Sequence, residues 1–162
     1  MKKRKLRYNE YYDIQKKYDE LYLQSKNGNN FYKLIEIIGS ENNIRLAYRN
    51  IKANKGSKTP GVDSLTIKDL WNLTDEEIVR NVRSRLNNYK PQPVRRVNIP
   101  KEGTNKTRPL GIPTIWDRLV QQSILQVLEP ICEAKFHQHS YGFRFNRNNH
   151  HAVSRVVWIG YP

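Results

Sequence analysis

Hydrophobic residues recur along most of this chain at the spacing of a helix. The pattern predicts helices over residues 8–25, 30–38, 41–53, 66–70 and 75–88, a long and broadly apolar core helix over 115–129, and a last helical segment from about residue 148. Pro130 is expected to interrupt the core helix before a short helical piece over 131–136. The basic start over residues 1–7 is expected to be mobile.

A different pattern appears over residues 94–113. Val94 to Pro100 alternates and is rich in β-branched residues, residues 101–106 are typical of a polar turn, and residues 107–113 return as a second arm. Three prolines favour an edge or irregular hairpin, because proline cannot donate a ladder hydrogen bond. The expected fold class is therefore α+β, mainly helical, with a β-hairpin. One further short strand is left open.

Polar residues mark where several of these elements begin. Ser40 is expected to cap the helix over 41–53, Thr74 with Glu77 predicts a capping box, and Thr114 is expected to cap the core helix. Residues 55–61 form a loop with a glycine near each end, but the order of a phosphate-binding P-loop is absent. The favoured interpretation is an ordinary turn, with Asp63 capping the next element of the chain.

Charge narrows the classes of partner. The 162 residues carry a formal net charge of +14, which predicts association with polyanions and an affinity that falls with salt. A solvated basic surface is the alternative. Cys132 is the only cysteine, so neither an internal disulfide nor a cysteine-based zinc site is expected. With no signal peptide and no membrane-spanning stretch in the pattern, we expect a cytoplasmic protein.

Two stretches are candidates for anion and nucleic-acid binding. The hairpin holds five basic residues against one acid, and Lys101 and Arg108 flank its turn, where they are expected to converge on one anion such as a triphosphate. Residues 140–148 interleave aromatic residues with arginines, which suits stacking on bases while guanidinium groups hold phosphates. The alternatives are a solvated hairpin and a structural loop in which Tyr141 and Phe143 lie on one side as core residues.

Metal chemistry is poorly supported by the residues present. Four histidines lie at positions 137, 139, 150 and 151, but zinc is disfavoured without further thiol partners. A nucleotidyltransferase needs two or more carboxylates for its Mg²⁺ ions, and the chain has no Asp-Asp pair. Asp117 is interpreted as a helix-terminus acid or ion-pair partner. Glu129 and Glu133 share a helical face without an accompanying acidic cluster.

Taken together, these stretches resemble the group II intron-encoded reverse transcriptases, also called intron maturases. The resemblance covers roughly residues 30–153. It is carried by residues 55–63 (Lys-Gly to Gly-Val-Asp), 94–101, 108–114 (Arg-Pro-Leu-Gly-Ile-Pro-Thr), 117–122, and 139–147 with its Ser-Tyr-Gly-Phe-Arg core. Phe145 stands where the family usually has proline, and His151 where it usually has an acid.

The resemblance implies the fingers part of a right-hand RNA-directed DNA polymerase, a nucleotidyltransferase. Residues 1–29 would be a basic helical segment, 30–90 a helical N-terminal extension with loop 55–63, and 91–162 the fingers hairpin, core helix and template block. In that family Lys101 and Arg108 would bind the incoming dNTP triphosphate. The residues implied to lie near template or other nucleic acid are Lys55, Arg95, Arg96, Gly142, Phe143, Arg144 and Arg147.

The same resemblance implies what the chain lacks. The family's palm, with its metal-binding aspartates, would follow residue 162, so catalytic residues are expected to be absent and Mg²⁺ is expected only in the complete enzyme. The chain is expected to bind RNA template or intron RNA, DNA primer and dNTP. The alternatives are a non-catalytic RNA-binding module and a self-associating relic that forms a homodimer through the palm-facing surface of helix 115–129.

Overall fold

The computed structural model describes residues 6–160, so the first five residues of the basic start over 1–7, which was expected to be mobile, and the last two residues of the chain lie outside it. The helices are α1 (Tyr8–Tyr11), α2 (Gln15–Lys26), α3 (Leu34–Ile38), α4 (Glu41–Ala53), α5 (Asp75–Asn87), α6 (Ile115–Glu133) and α7 (Asn149–Gly160). Strands β1 (Arg95–Pro100) and β2 (Thr107–Ile112) form the hairpin, and 3₁₀ turns occupy Lys55–Lys58 and Ile67–Leu70. The predicted α+β class is confirmed, and the described residues contain no third strand.

Two predicted helices near the start of the chain have different bounds in the structure. The helix expected over 8–25 is divided at Asp13, whose φ of 51° lies in the left-handed region and ends α1. The helix expected over 30–38 begins only at Leu34, because Lys33 is also left-handed with a φ of 57°. Asparagine and aspartate tolerate this conformation better than lysine, so Lys33 gave no signal in the sequence.

The predicted break at Pro130 was wrong. Helix α6 continues through Pro130 to Glu133, and the backbone N–H of Ala134 still donates to the Pro130 carbonyl at 3.3 Å. The Ser25 hydroxyl of α2 donates to the Ile131 carbonyl at 2.7 Å and so satisfies a backbone group in the last turn. Packing against α2 therefore keeps the helix intact where proline removes one backbone donor.

Helix α6 is the centre of the core, as its wide apolar pattern predicted. Its first half packs Leu119 and Val120 against α4 and α5, where Ile44 and Val82 are fully buried. Its second half packs Val127 against a second apolar cluster contributed mainly by α2 and α3. The two clusters share one helix, so the position of α6 determines the positions of the segments that adjoin its two ends, the hairpin before it and residues 137–148 after it.

A buried polar network lies between the two clusters. The Tyr18 hydroxyl donates to the Asn43 side-chain oxygen at 2.6 Å, and the Gln126 amide donates to the same oxygen at 2.9 Å. Burial raises the pKa of Tyr18 well above its usual value, although the Gln126 contact lowers it. The hydroxyl is therefore a permanent donor that ties α2, α4 and α6 together.

Of the caps predicted at Ser40, Thr74 and Thr114, two are confirmed. The Thr74 hydroxyl and Glu77 carboxylate form the capping box of α5, and the Thr114 hydroxyl accepts from the Asp117 N–H at 3.2 Å at the start of α6. The prediction for Ser40 was wrong, because its hydroxyl donates backwards to the Ile37 carbonyl at 2.8 Å. Cap residues at α5 and α6 therefore fix the entry to the elements that flank the hairpin.

Candidate nucleic-acid interface

The loop over residues 55–61 is fastened to the start of α6 by Arg118. The guanidinium donates to the carbonyls of Gly56 at 2.9 Å, Thr59 at 2.6 Å and Pro113 at 2.9 Å. Three backbone carbonyls from two separate segments thus converge on one side chain. The loop is therefore anchored to the rest of the fold, a feature that the interpretation as an ordinary turn did not predict.

Gly61 is the point of closest approach between this loop and α6. A Cβ at Gly61 would lie 2.7 Å from the Thr114 Cα and 2.9 Å from its backbone nitrogen, which no side chain can accommodate without a backbone shift. The Arg95 guanidinium also donates to the Pro60 carbonyl at 3.0 Å. The loop therefore lies against the base of the hairpin, held from both α6 and β1.

The register of the hairpin places its key basic side chains on one face. Arg108 lies directly opposite Ile99, and the Lys101 N–H donates to the Lys106 carbonyl at 2.9 Å, which continues the ladder beyond the strands. Because side chains alternate along strands and face the same way when directly opposite, Lys101 and Arg108 are diagonal neighbours on one face. Both side chains are exposed. The expected convergence on a single anion is compatible with this register.

Arg95 lies on the same face as Lys101 and Arg108, and Arg96 lies on the other. The face also carries Lys106, so it bears four basic residues, with the anchored loop and its exposed Lys55 at the base. From Arg95 to Lys101 the strand rises about 20 Å, at roughly 3.3 Å per residue. We call this set the basic face: Lys55, Arg95, Lys101, Lys106 and Arg108.

The segment over residues 137–148 is built around Arg144, which turns inward. Its guanidinium pairs with Glu133 at 2.5 Å and donates to the carbonyls of His137 at 2.8 Å and Ser140 at 3.0 Å. The side chain is only 5% exposed. It also lies over the Phe136 ring, 5.3 Å from the centroid. All of these contacts are internal, so Arg144 holds the segment onto the end of α6.

The other residues of this segment divide between internal and exposed positions. Arg147 donates to the Gln138 carbonyl and lies over the Tyr141 ring at 5.5 Å. Phe143 is fully exposed in a left-handed conformation with a φ of 56°. The alternative in which Tyr141 and Phe143 are both core residues was wrong, because Phe143 is exposed and Tyr141 is only half-buried. A Cβ at Gly142 would touch nothing, so the chain itself does not require glycine there.

The carboxylates of the described residues do not form a group that fits a Mg²⁺ site. Buried Asp117 accepts from the Gln92 N–H at 3.1 Å, and so fixes the segment that leads into the hairpin. Glu133 is paired with Arg144. Across residues 6–160, no three histidine, cysteine or acidic side chains form a group that would hold a metal ion. We therefore propose no metal-dependent step for the residues that the structure describes.

Arg118 is the functional candidate that sequence reasoning missed. It lies in the first turn of α6, where a positive charge opposes the helix dipole. Burial is the main cause that lowers the pKa of Arg118, neighbouring Arg95 acts in the same direction, and Asp63 opposes them. The sequence did offer one signal for this role, namely a basic residue at the start of a helix. Strong hydrogen-bond acceptors close to the side chain are needed to offset its unfavourable interaction with the helix dipole.

No helix of the described residues is long and apolar enough to cross a bilayer. No protein-family model matches the chain. Among known proteins, Protein YkfC of Escherichia coli (strain K12) is 40% identical over 126 residues, which cover 76% of this chain and 32% of that protein. The group II intron-encoded protein LtrA of Lactococcus lactis subsp. cremoris is 39% identical over 113 residues, covering 68% of this chain and 18% of LtrA.

A eukaryotic relative shows the same pattern of partial coverage. Maturase-like protein 1 of Euglena gracilis is 35% identical over 119 residues, which cover 72% of this chain and 25% of that protein. The chain thus spans between 18% and 32% of the length of these three relatives. The chain belongs to the family of group II intron-encoded reverse transcriptases and maturases, as the motifs over 55–63, 94–122 and 139–147 indicated.

Proposed function

We propose that this chain is the fingers part of an RNA-directed DNA polymerase and that its basic face grips the RNA template, the primer and the incoming dNTP. The observation that carries the proposal is the fastening of loop 55–61 to the start of α6 by Arg118 and to the base of the hairpin by Arg95. Anchoring gives the exposed lysines of the loop a fixed position relative to the hairpin. A basic surface that serves only for solubility does not need its lysines held at fixed positions.

Lys101 and Arg108 are proposed to bind the triphosphate. Diagonal neighbours on a two-stranded ribbon lie about 7–8 Å apart, a span that suits two phosphate groups of one nucleotide. The ammonium group of Lys101 supplies a compact charge, and the guanidinium of Arg108 supplies a planar fork for phosphate oxygens. Neither side chain has an ion-pair partner among the described residues, so both are available to a ligand.

Template contact is assigned to exposed residues of the loop, the hairpin and the 137–148 segment. Lys55 and Arg96 would hold phosphates, and Phe143 would offer an aromatic ring for base stacking. Open space beside Gly142 leaves room for a backbone to approach. Arg144 and Arg147 would act by holding Phe143 in place, because their guanidinium groups are used inside the segment.

Catalysis is assigned to residues outside this chain. In the complete enzyme, Mg²⁺ would supply the two-metal chemistry of nucleotidyl transfer. The 162 residues contain no Asp-Asp pair, and the described carboxylates form no ligand group. We therefore propose that the chain alone binds its ligands without extending a primer. Primer extension by the purified 162-residue chain would contradict this.

The test is RNA binding measured against salt, together with dNTP binding. Arg108→Ala should weaken RNA binding and reduce the slope of log K against log salt by about one. Lys17→Ala is the matched control, because it removes one charge from an exposed ion pair on α2, far along the chain from the hairpin. Equal slopes for the wild-type chain and Arg108→Ala would contradict the proposed contact.

Triphosphate binding separates the polymerase proposal from an RNA-binding module. Lys101→Ala and Arg108→Ala should each weaken dNTP binding while Lys17→Ala leaves it unchanged. A chain that binds RNA but shows no measurable dNTP affinity would favour a non-catalytic RNA-binding module instead.

Self-association is a second proposal, supported by apolar exposure. Leu125 and Leu128 are exposed on α6, and α7 exposes Val157, Trp158 and Ile159. Exposed apolar groups of this kind are typical of interaction surfaces. Sedimentation at several concentrations tests a homodimer, and a strict monomer throughout would exclude it.

A further inference from the structure

A groove of about 820 Å³ lies between α2 and α6, apart from the basic face. Its lining includes Tyr18 and Tyr22 on α2, residues between Gln122 and Glu133 on α6, and Asn9 and Asn50. Phe145 and Asn146, next to the anchored Arg144, also line it. Its volume is large enough for one nucleobase with its sugar.

The charge of this groove is opposite to that of the chain. Asp19, Glu129 and Glu133 line it, and Arg7, the basic residue among the described lining, pairs with Glu10 at 3.2 Å. The whole chain carries +14. Phosphate is therefore disfavoured inside the groove, whereas a group that offers N–H donors is favoured.

Glu129 is the acceptor that lacks a partner. Asp19 accepts from the Gln15 amide at 2.7 Å and Glu133 is paired with Arg144, but no donor among residues 6–160 reaches the half-buried carboxylate of Glu129. Burial first, and then neighbouring Glu133, raise the pKa of Glu129. A ligand with adjacent N–H groups would satisfy both carboxylate oxygens at once.

Aromatic side chains line the same groove as this carboxylate. Phe145 is 69% exposed, Tyr22 is partly exposed, and Asn146 adopts a left-handed φ of 55° that turns the chain beside the groove. The Glu133–Arg144 pair fixes the backbone that presents Phe145. Stacking between aromatic side chains and hydrogen bonding along the base edge are the usual means by which proteins bind an unstacked RNA base.

We propose that this groove binds one unpaired guanine base of an RNA strand. Guanine carries an imino N–H and an amino group side by side on its Watson–Crick edge, and these two donors match the two oxygens of Glu129. Adenine places an acceptor at the position of the imino donor, so it cannot make the pair. The inference rests on the proposed RNA binding, with the strand's phosphates held outside the groove.

The test uses three labelled RNA pentamers with uridine at four positions and guanine, hypoxanthine or adenine in the middle. Fluorescence anisotropy with the full chain should give about tenfold tighter binding for guanine than for adenine, a discrimination within the range of a bidentate base contact. Hypoxanthine lacks the amino group and should fall between them. Equal affinities for all three pentamers would overturn the proposal without requiring any variant.

Variants connect the preference to the carboxylate. Glu129→Gln should abolish the guanine preference, while Asp19→Asn, which removes the same charge from the same groove, should preserve it. A preference that survives in Glu129→Gln contradicts the assigned contact. Displacement of the guanine pentamer by an arginine-containing peptide at lower concentration than by free RNA would identify a peptide groove and overturn the proposal.

Oligouridine keeps the two proposals distinguishable. It contains no guanine, so its binding and salt slope report on the basic face alone. Unchanged oligouridine binding in Glu129→Gln, with loss of the guanine preference, supports both proposals. Absence of oligouridine binding in the wild-type chain would defeat the proposed function, whatever the pentamers show.

Discussion

Replacing Arg118 by glutamine should release loop 55–61 from α6. The guanidinium donates to three carbonyls, those of Gly56, Thr59 and Pro113, at 2.6–2.9 Å. Glutamine has one amide group on a shorter side chain, so it cannot reach all three. Arg118→Lys keeps the charge but lacks the planar fork, and should recover only part of the loss.

The size of the effect follows from these contacts. A hydrogen bond that involves a charged group contributes about 1.5–3 kcal/mol. The three bonds share one half-buried side chain, and water can reach the exposed Gly56 carbonyl, so they do not add in full. We expect Arg118→Gln to lower the free energy of unfolding by about 2–3 kcal/mol, which for a chain of this length shifts Tm by roughly 4–12 °C.

Two measurements check this prediction. Thermal unfolding followed by circular dichroism gives the change in Tm, and limited trypsin digestion reports whether cleavage after Lys55 and Lys58 in the loop accelerates. Arg96→Gln is the matched control, because Arg96 is exposed on β1 and has no hydrogen-bond partner among the described residues. An unchanged Tm with unchanged loop cleavage in Arg118→Gln would refute the anchoring argument.

Three further changes test other parts of the structure. Gly61→Ala should destabilise the chain by about 1–3 kcal/mol, measured by urea unfolding, because its Cβ would meet the Thr114 backbone at 2.7 Å. Glu133→Gln should lower the free energy of unfolding by about 2–3 kcal/mol in the same assay, less than the loss of a fully buried pair, since Glu133 is 29% exposed. Glu36→Gln, which breaks an exposed pair, is the control. An effect of Glu133→Gln no larger than that of Glu36→Gln would contradict this prediction. The backbone N–H of Thr74, and then its hydroxyl, lower the pKa of Glu77 below its ordinary 4.5. Its stabilising contribution is therefore present above pH 4.5 and lost as pH falls through the lowered pKa, and a pH titration of Tm should show a smaller acid loss in Glu77→Gln.

The sequence was sufficient to predict the elements that depend on local patterns. Residues of the hairpin alternate, Thr74 and Glu77 stand at capping-box spacing, and α6 has a wide apolar face, so each element carries its own signal. Pro130 shows where local reasoning fails, because the contact of Ser25 with Ile131 comes from α2, more than a hundred residues earlier. The left-handed conformation of Lys33 was missed for a different reason, since no local sequence pattern marks a lysine that adopts it.

The candidate site was predictable in its charges but not in its attachments. Lys101 and Arg108 flank a turn, and the register then follows from strand geometry. Arg144 and Arg118 are both basic residues in motif stretches, yet their side chains are used internally. Whether an arginine faces a ligand or a carbonyl depends on which segments fold beside it, and that information is absent from local spacing.

Photo-crosslinking tests the central claim most directly. A primer annealed to an RNA template that carries photoreactive uridines is bound by the chain, irradiated and digested, and mass spectrometry identifies the attached peptides. The proposed interface predicts crosslinks within residues 55–61, within the hairpin over 95–108 and at Phe143. Crosslinks confined to the outer surfaces of α4 and α5, with none in the loop or the hairpin, would contradict it.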